Sequence, residues 1–324
     1  MLRSHVIFLL APALLAAPRD PVPEVNPLIG TQKSAIGYGG TMPFVSPPFA
    51  MTNWTAQTRQ NKISVTSYEY DDPAISGFIG THQPAIWMGD YGYITLMPQV
   101  GTLRTTPEAR RLPFSHHDEV AKPDYYSVAL QTADGGRIHA EMTATERCAR
   151  FRFRFPEAGP ARVLVEMSRP GSAGSAAVDT KTGEITGYNP HRMDAHLGPH
   201  KLPNFKGYFV VQFRQAPYEA ATYGLGQADA SVSRGAYAEF APGALVEVRV
   251  GTSFLSIDQA RENLKKEIPE WNFFTVRAKL HNAWQERLGR LEIDGASDRE
   301  RTRLYTALYH ALLYPRVFSE YGRY

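Results

Sequence analysis

The sequence predicts a mainly β chain, an antiparallel β-sandwich that gives way to helices, and three observations lead there. Between about residues 91 and 253 apolar side chains alternate with a period near two, the mark of half-buried strands. Glycine (26) and proline (24) are frequent enough to close many short turns. Beyond Ser253 the apolar spacing changes to that of helices.

Taken in order, the chain opens with Arg3, an apolar run over residues 6–15, and Ala16 and Ala17 ahead of Pro18. This reads as a secretory signal peptide over residues 1–17, so the protein is expected in a periplasm or outside the cell. The run is too short, and too broken by Pro12, for a membrane span. Residues 18–255 form the predicted sandwich. Its clearest strand is 149–155, where Phe151, Phe153 and Phe155 share one face and Arg150, Arg152 and Arg154 the other, which is expected to be solvated. Residues 245–250 repeat the pattern with Val246, Val248 and Val250. Further strands are expected at 93–97, 126–130, 138–142, 162–166 and 208–213.

Residues 256–296 read as a helical linker. Ser256 and Gln259 have capping-box spacing, and that helix should stop before Pro269. A second helix carries Val276, Leu280, Trp284 and Leu288 at i, i+4 spacing and is closed by Gly289. A third starts at the capping box Ser297 and Glu300, carries Leu304, Leu308, Ala311 and Leu312, and stops at Pro315. Its apolar stripe calls for partner helices, so residues 297–324 read as the start of a helical domain.

Composition narrows the function classes. The 324 residues suffice for one large or two ordinary domains, and 43% hydrophobic with 21% charged residues is near the globular average. The net charge of +3 comes from 35 basic and 32 acidic residues mixed along the chain, which gives no footprint for nucleic acid. Cys148 is the single cysteine, so no disulfide forms within the chain, and it reads as a buried, inert thiol.

Two loops have the composition of a ligand site. Residues 26–51 (NPLIGTQKSAIGYGGTMPFVSPPFAM) are rich in glycine, and Gly37, Gly39 and Gly40, around Tyr38, permit close backbone approach to a ligand. Neither a dinucleotide fingerprint nor a Walker lysine is present. Residues 80–92 (GTHQPAIWMGDYG) combine His82, Trp87, Met88, Gly89, Asp90 and Tyr91. Such a mixture suits a sugar, since an aromatic face covers the C–H face of the ring while carboxylate and imidazole bond its hydroxyls. Equally, Trp87 reads as a core or inter-domain residue, and Asp90 as a turn former.

Other clusters read more plainly. His191, Asp194, His196 and His200 invite a metal by residue type, but Gly198 and Pro199 break any helix, so a polar loop is expected. His116, His117, Asp118 and Glu119 read as a charged loop between strands, and Asp71 and Asp72 before Pro73 as a turn. Asn53, Trp54 and Thr55 match a glycosylation acceptor. No carboxylate pair stands out as an acid and base couple.

These segments resemble glycoside hydrolase family 92. The resemblance runs through residues 25–31 (VNPLIGT) and the glycine-rich loop after them, 77–98 (GFIGTHQPAIWMGDYGYITLMP), 114–130 (FSHHDEVAKPDYYSVAL), 260–269 (ARENLKKEIP) and 304–320 (LYTALYHALLYPRVFSE). It implies a β-sandwich followed by an (α/α)6 barrel, of which residues 297–324 supply the first helix, with the active site where the two meet. It implies removal of terminal α-mannose from glycans with inversion, assisted by calcium. The catalytic carboxylates and calcium ligands then belong to the helical domain beyond Tyr324. The missing helical domain and mannose-containing glycans are the implied partners, and no catalytic residue falls within this chain. The sandwich is expected to contribute Gly37, Tyr38, Gly39 and Gly40, and the loop carrying His82 and Trp87 to Tyr91, to the sugar pocket. Gln83, Pro84, Ala85 and Ile86 stand where many members have a Ser/Gly-rich stretch, a departure that bears on linkage specificity. A different class, a non-catalytic carbohydrate-binding or interaction module, is the rival reading.

Overall fold

The computed structural model describes residues 19–33, 39–83, 85–169, 173–193, 202, 204–226 and 232–323. Within them, six strands form one sheet in the order Asn53–Gln57, Gly77–Thr81, Ile94–Val100, Ala161–Ser168, Arg234–Phe240 and Glu219–Tyr223. Eight form a second, in the order Ser175–Val178, Ile185–Asn189, Gly207–Phe213, Leu245–Ser253, Cys148–Arg154, Arg137–Ala144, Tyr125–Gln131 and Val120–Lys122. Pairing is antiparallel throughout both sheets. The alternation read from the sequence sets the core between them. Phe151 and Phe153 of the larger sheet point inward and meet Phe78 of the smaller one at 6.1 and 5.9 Å, and Trp54 meets Phe151 edge-on at 5.5 Å. Cys148 is buried, and burial pushes its thiol pKa well up, so it is an inert core residue.

The opposite face of Cys148–Arg154 is not solvated as the pattern suggests. The turn after the first helix and the start of the second lie on it. Arg150 is fully buried, donates to Glu247 (2.9 Å) and to the Trp271 carbonyl (2.6 Å), and lies 4.6 Å from the Trp271 ring. Arg249, its cross-strand partner, packs on the same indole at 4.6 Å. Arg152 is half-buried over Phe273 and Phe274, and only Arg154 is exposed. Alternation shows which residues share a face, but a flat guanidinium can be capped by an aromatic ring instead of water.

Three helices follow the last strand: Ile257–Glu267, Phe273–Leu288 and Asp298–Leu313. Ser256 caps the first by accepting from Gln259 N at 3.0 Å, but the reciprocal half of the capping box is absent. The Gln259 amide instead donates to Asn263 and accepts from Arg323. The Ser297–Glu300 box of the third helix is complete. That helix buries Tyr305, Thr306, Tyr309 and Leu313, not the stripe of Leu304, Leu308, Ala311 and Leu312, which lies one step around and stays partly or fully exposed. Tyr309 packs on Trp284 at 5.0 Å and donates to the Phe44 carbonyl, while Trp284 donates to the Ser46 carbonyl. Both aromatic residues therefore tie helices to sandwich.

The junction also bends the backbone. Phe49 has φ +65°, a left-handed conformation that costs a bulky residue about 1–3 kcal/mol. It is held by helix-side partners, its N–H donating to Leu312 O and its carbonyl accepting from Val317 N, both at 3.0 Å. Asn53, of the glycosylation-like tripeptide, lies in the first strand with no exposed surface, accepting from Ser46 Oγ at 2.7 Å. Among the described residues no helix is long and apolar enough to cross a membrane.

Candidate functional site

Loop 82–91 leaves the strand Gly77–Thr81 and returns towards Ile94–Val100, and a single buried carboxylate organises it. Asp90 Oδ1 accepts from the backbone N–H groups of His82 and Tyr91, both at 2.8 Å. Its Oδ2 accepts from Thr81 Oγ1 at 2.7 Å and Asn61 Nδ2 at 2.8 Å. Four donors on two oxygens leave little of the carboxylate for a ligand, and Asp90 has no exposed surface. Asp90 is thus the frame of the loop and not a sugar contact. Gln83 completes the frame: its amide nitrogen donates to the carbonyls of Met88 (2.8 Å) and Lys62 (3.1 Å), and its oxygen accepts from Asn61. Gln83 therefore pins this loop to segment 61–65.

His82 is also turned inward. Its Nδ1 faces the Tyr91 carbonyl at 2.6 Å and must donate, and Nε2 faces Thr52 Oγ1 at 3.1 Å. Burial pushes its pKa down to about 4, against a raising influence of Asp90 and a further lowering by Arg316, so the ring is neutral at ordinary pH. Arg316, from the segment after the third helix, donates Nη1 to the His82 carbonyl at 2.6 Å. It joins the helical part to the loop. Gly92 and Gly207 permit the close crossing beside it: Gly92 has φ +59°, and a Cβ on Gly207 would sit 2.5 Å from Gly92 Cα.

What the loop presents outward is Trp87, 67% exposed, followed by the half-buried Met88. Trp87 is no core residue. Tyr91 stacks on His82 at 5.1 Å and, with Phe205, Phe254, Leu255, Phe318 and Glu320, lines an apolar cavity of about 250 Å³ at the seam of sandwich and helices. Gly89 is buried. In the glycine-rich loop, Gly37 and Tyr38 fall outside the described residues. Gly40 N donates to Gly30 O at 3.0 Å, and a Cβ on Gly39 would lie 2.8 Å from that carbonyl, so only glycine fits there.

Asn61, Thr81 and Arg316 were not legible as site residues, because nothing in their local sequence marks a donor aimed across 29, 9 and 234 positions. The remaining clusters resolve as scaffold. Glu119 is no solvated loop residue: its carboxylate accepts from Tyr68, Tyr126 (2.5 Å) and His116 (2.6 Å). Asp72 N closes the expected turn on Glu69 O at 3.1 Å, and its carboxylate accepts from Arg59 and Thr58. His191 faces Tyr93, while Asp194, His196 and His200 lie outside the described residues. Among the described residues no three His, Cys, Asp or Glu side chains converge as metal ligands.

Residues 24–253 match the glycosyl hydrolase family 92 N-terminal domain, and residues 259–324 match the family's catalytic domain. The chain belongs to glycosyl hydrolase family 92. An inverting mannosidase of the family from Bacteroides thetaiotaomicron superposes with TM-score 0.81 at 30% identity, covering 93% of this chain and 41% of that one. A second family 92 α-mannosidase from that organism superposes with TM-score 0.74 at 25% identity over 94% of this chain and 42% of that one. A protein described as an uncharacterized secreted glycosidase of Arthroderma benhamiae is 25% identical over 93% of this chain and 42% of its own length. The chain thus spans about two fifths of these family 92 relatives.

Proposed function

We propose that the chain is the sugar-positioning, N-terminal part of an exported inverting exo-α-mannosidase that trims mannose-containing glycans. The observation that carries this is the division of labour in loop 82–91, where a fully satisfied carboxylate and a neutral histidine hold an exposed Trp87 on a family 92 scaffold. An exposed indole on a fixed loop offers a flat apolar face to the C–H face of a pyranose. In an inverting hydrolysis one carboxylic acid protonates the leaving oxygen while a carboxylate activates water on the far side of the ring. No side chain of this chain is assigned either part; both, with the calcium ligands, are attributed to the continuation of the helical domain. Calcium would help to orient the sugar hydroxyls. The half-exposed second stripe of the third helix supports such a continuation over a free-standing binding module.

The test uses the enzyme extended through its helical domain. Trp87→Ala should lower kcat/KM for an α-mannoside about tenfold or more while the melting temperature stays nearly unchanged, as for an exposed position. The 324-residue chain alone, with calcium, should not turn over an aryl α-mannoside. A Trp87→Ala enzyme that melts much earlier yet keeps full activity per folded molecule would overturn the assignment.

A further inference from the structure

A second concavity lies apart from loop 82–91, between segments 70–73 and 114–117. It is an open groove of about 660 Å³ lined by Tyr70, Asp71, Asp72, Phe114, His116 and His117, with Pro73 and Ser115 completing the walls. That volume falls within the ~300–1,000 Å³ of small-molecule sites. We propose that this groove binds a neutral pyranose unit of the glycan, beyond the terminal sugar.

Its walls are fixed before any ligand arrives. The His116 ring stacks on Tyr70 at 3.8 Å with 3° between planes, and Phe114 meets His116 edge-on at 5.1 Å. Both His116 nitrogens are engaged, Nδ1 with the Glu119 carboxylate at 2.6 Å and Nε2 with the Tyr70 carbonyl at 2.7 Å. Asp72 is clamped by Arg59 and Thr58. The groups left over are those a sugar uses. Asp71 gives one oxygen to Gln32 at 2.9 Å and keeps the other, His117 is exposed, and Tyr70 and Phe114 supply aromatic surface. The lining holds two carboxylates and no lysine or arginine, which disfavours phosphate or acidic sugars, and no metal-binding group of three converges there.

The groove also adjoins the glycine-rich loop. Tyr70 N donates to Thr31 O at 3.2 Å, Lys33 N to Glu69 at 2.6 Å, and Gln32 to Asp71, so residues 31–33 of that loop are tied to this wall. The position of the groove along the glycan rests on the mannosidase reading; its chemistry does not.

Calorimetric titration of the chain with an α-linked mannotriose and with methyl α-mannoside tests it. The trisaccharide should bind at least tenfold more tightly. Replacing the exposed pair, Asp71→Ala with His117→Ala, should shrink that advantage below twofold, with the melting temperature and methyl α-mannoside affinity unchanged. Equal affinity for the two sugars, no binding of either, or an advantage that survives the double variant would overturn the proposal. A gluco-trisaccharide that binds equally well and is lost in the same variant would keep the groove and sink the mannose reading instead.

Discussion

Loop 82–91 and the helix-covered face of the larger sheet each take a charge out of water, by opposite means. Asp90 meets four uncharged donors, two on each oxygen, and lacks nothing. Arg150 has a carboxylate, a carbonyl and an indole, yet its Nε and Nη1 are buried without hydrogen-bond partners. Burial pushes its pKa down to about 10, which still leaves it charged. The contrast teaches where geometry matters. Complete satisfaction stands behind the loop that presents Trp87. The arginine face only has to fill space under Trp271, and a guanidinium plane on an indole does that with bonds left unmade.

Asp90→Ala should sharpen the contrast most. It strands Thr81, Asn61 and two backbone N–H groups in the interior, and a cost of about 3–5 kcal/mol is expected, read as a lower urea midpoint. A loss under about 1 kcal/mol would dissolve the distinction. Acid should act next. His82 has a folded pKa of about 4 against an ordinary 6.5, so between these values the unfolded chain binds the proton first and stability falls as pH falls. The loss should reach at most about 3 kcal/mol and be absent above pH 7. His310, held at about 4 by burial alone, adds a loss of the same sign, and melting curves of His310→Gln separate the two. The smallest effect is expected for Arg150→Met, within about 1 kcal/mol, because a long apolar stem keeps the packing. Glu247 would retain Arg214 at 2.5 Å. A loss above about 3 kcal/mol would mean that the arginine is as well satisfied as Asp90.

The sequence announced the strands whose two faces differ. Cys148–Arg154 and Leu245–Ser253 alternate because one face meets the core and the other meets polar or half-covered surroundings. Gly77–Thr81 gave no such signal, since every residue in it is buried; Asn53–Gln57 is also buried throughout, although Trp54 and Ala56 alternate with Asn53, Thr55 and Gln57. The third helix misled for a related reason. It carries two apolar stripes, and leucine content favoured Leu304 and Leu308 over Tyr305 and Tyr309, whose hydroxyls find the backbone carbonyls of Leu291 and Phe44. At the candidate site, composition drew attention to the loop but did not show its orientation. Which of Trp87 and Asp90 faces outward depends on donors supplied by Asn61 and Thr81, and a linear sequence does not show them converging.

The buried position of Asn53 carries a practical consequence for recombinant expression. Asn53, Trp54 and Thr55 would be visible to an oligosaccharyltransferase only while the chain is still being threaded into an endoplasmic reticulum, before the strand Asn53–Gln57 pairs with Gly77–Thr81. A glycan added in that interval could not be accommodated between Ser46 and the core. Yeast or mammalian secretion would thus divide the product into an unmodified, folded pool and a modified, misfolded one, whereas a bacterial host without that machinery would not.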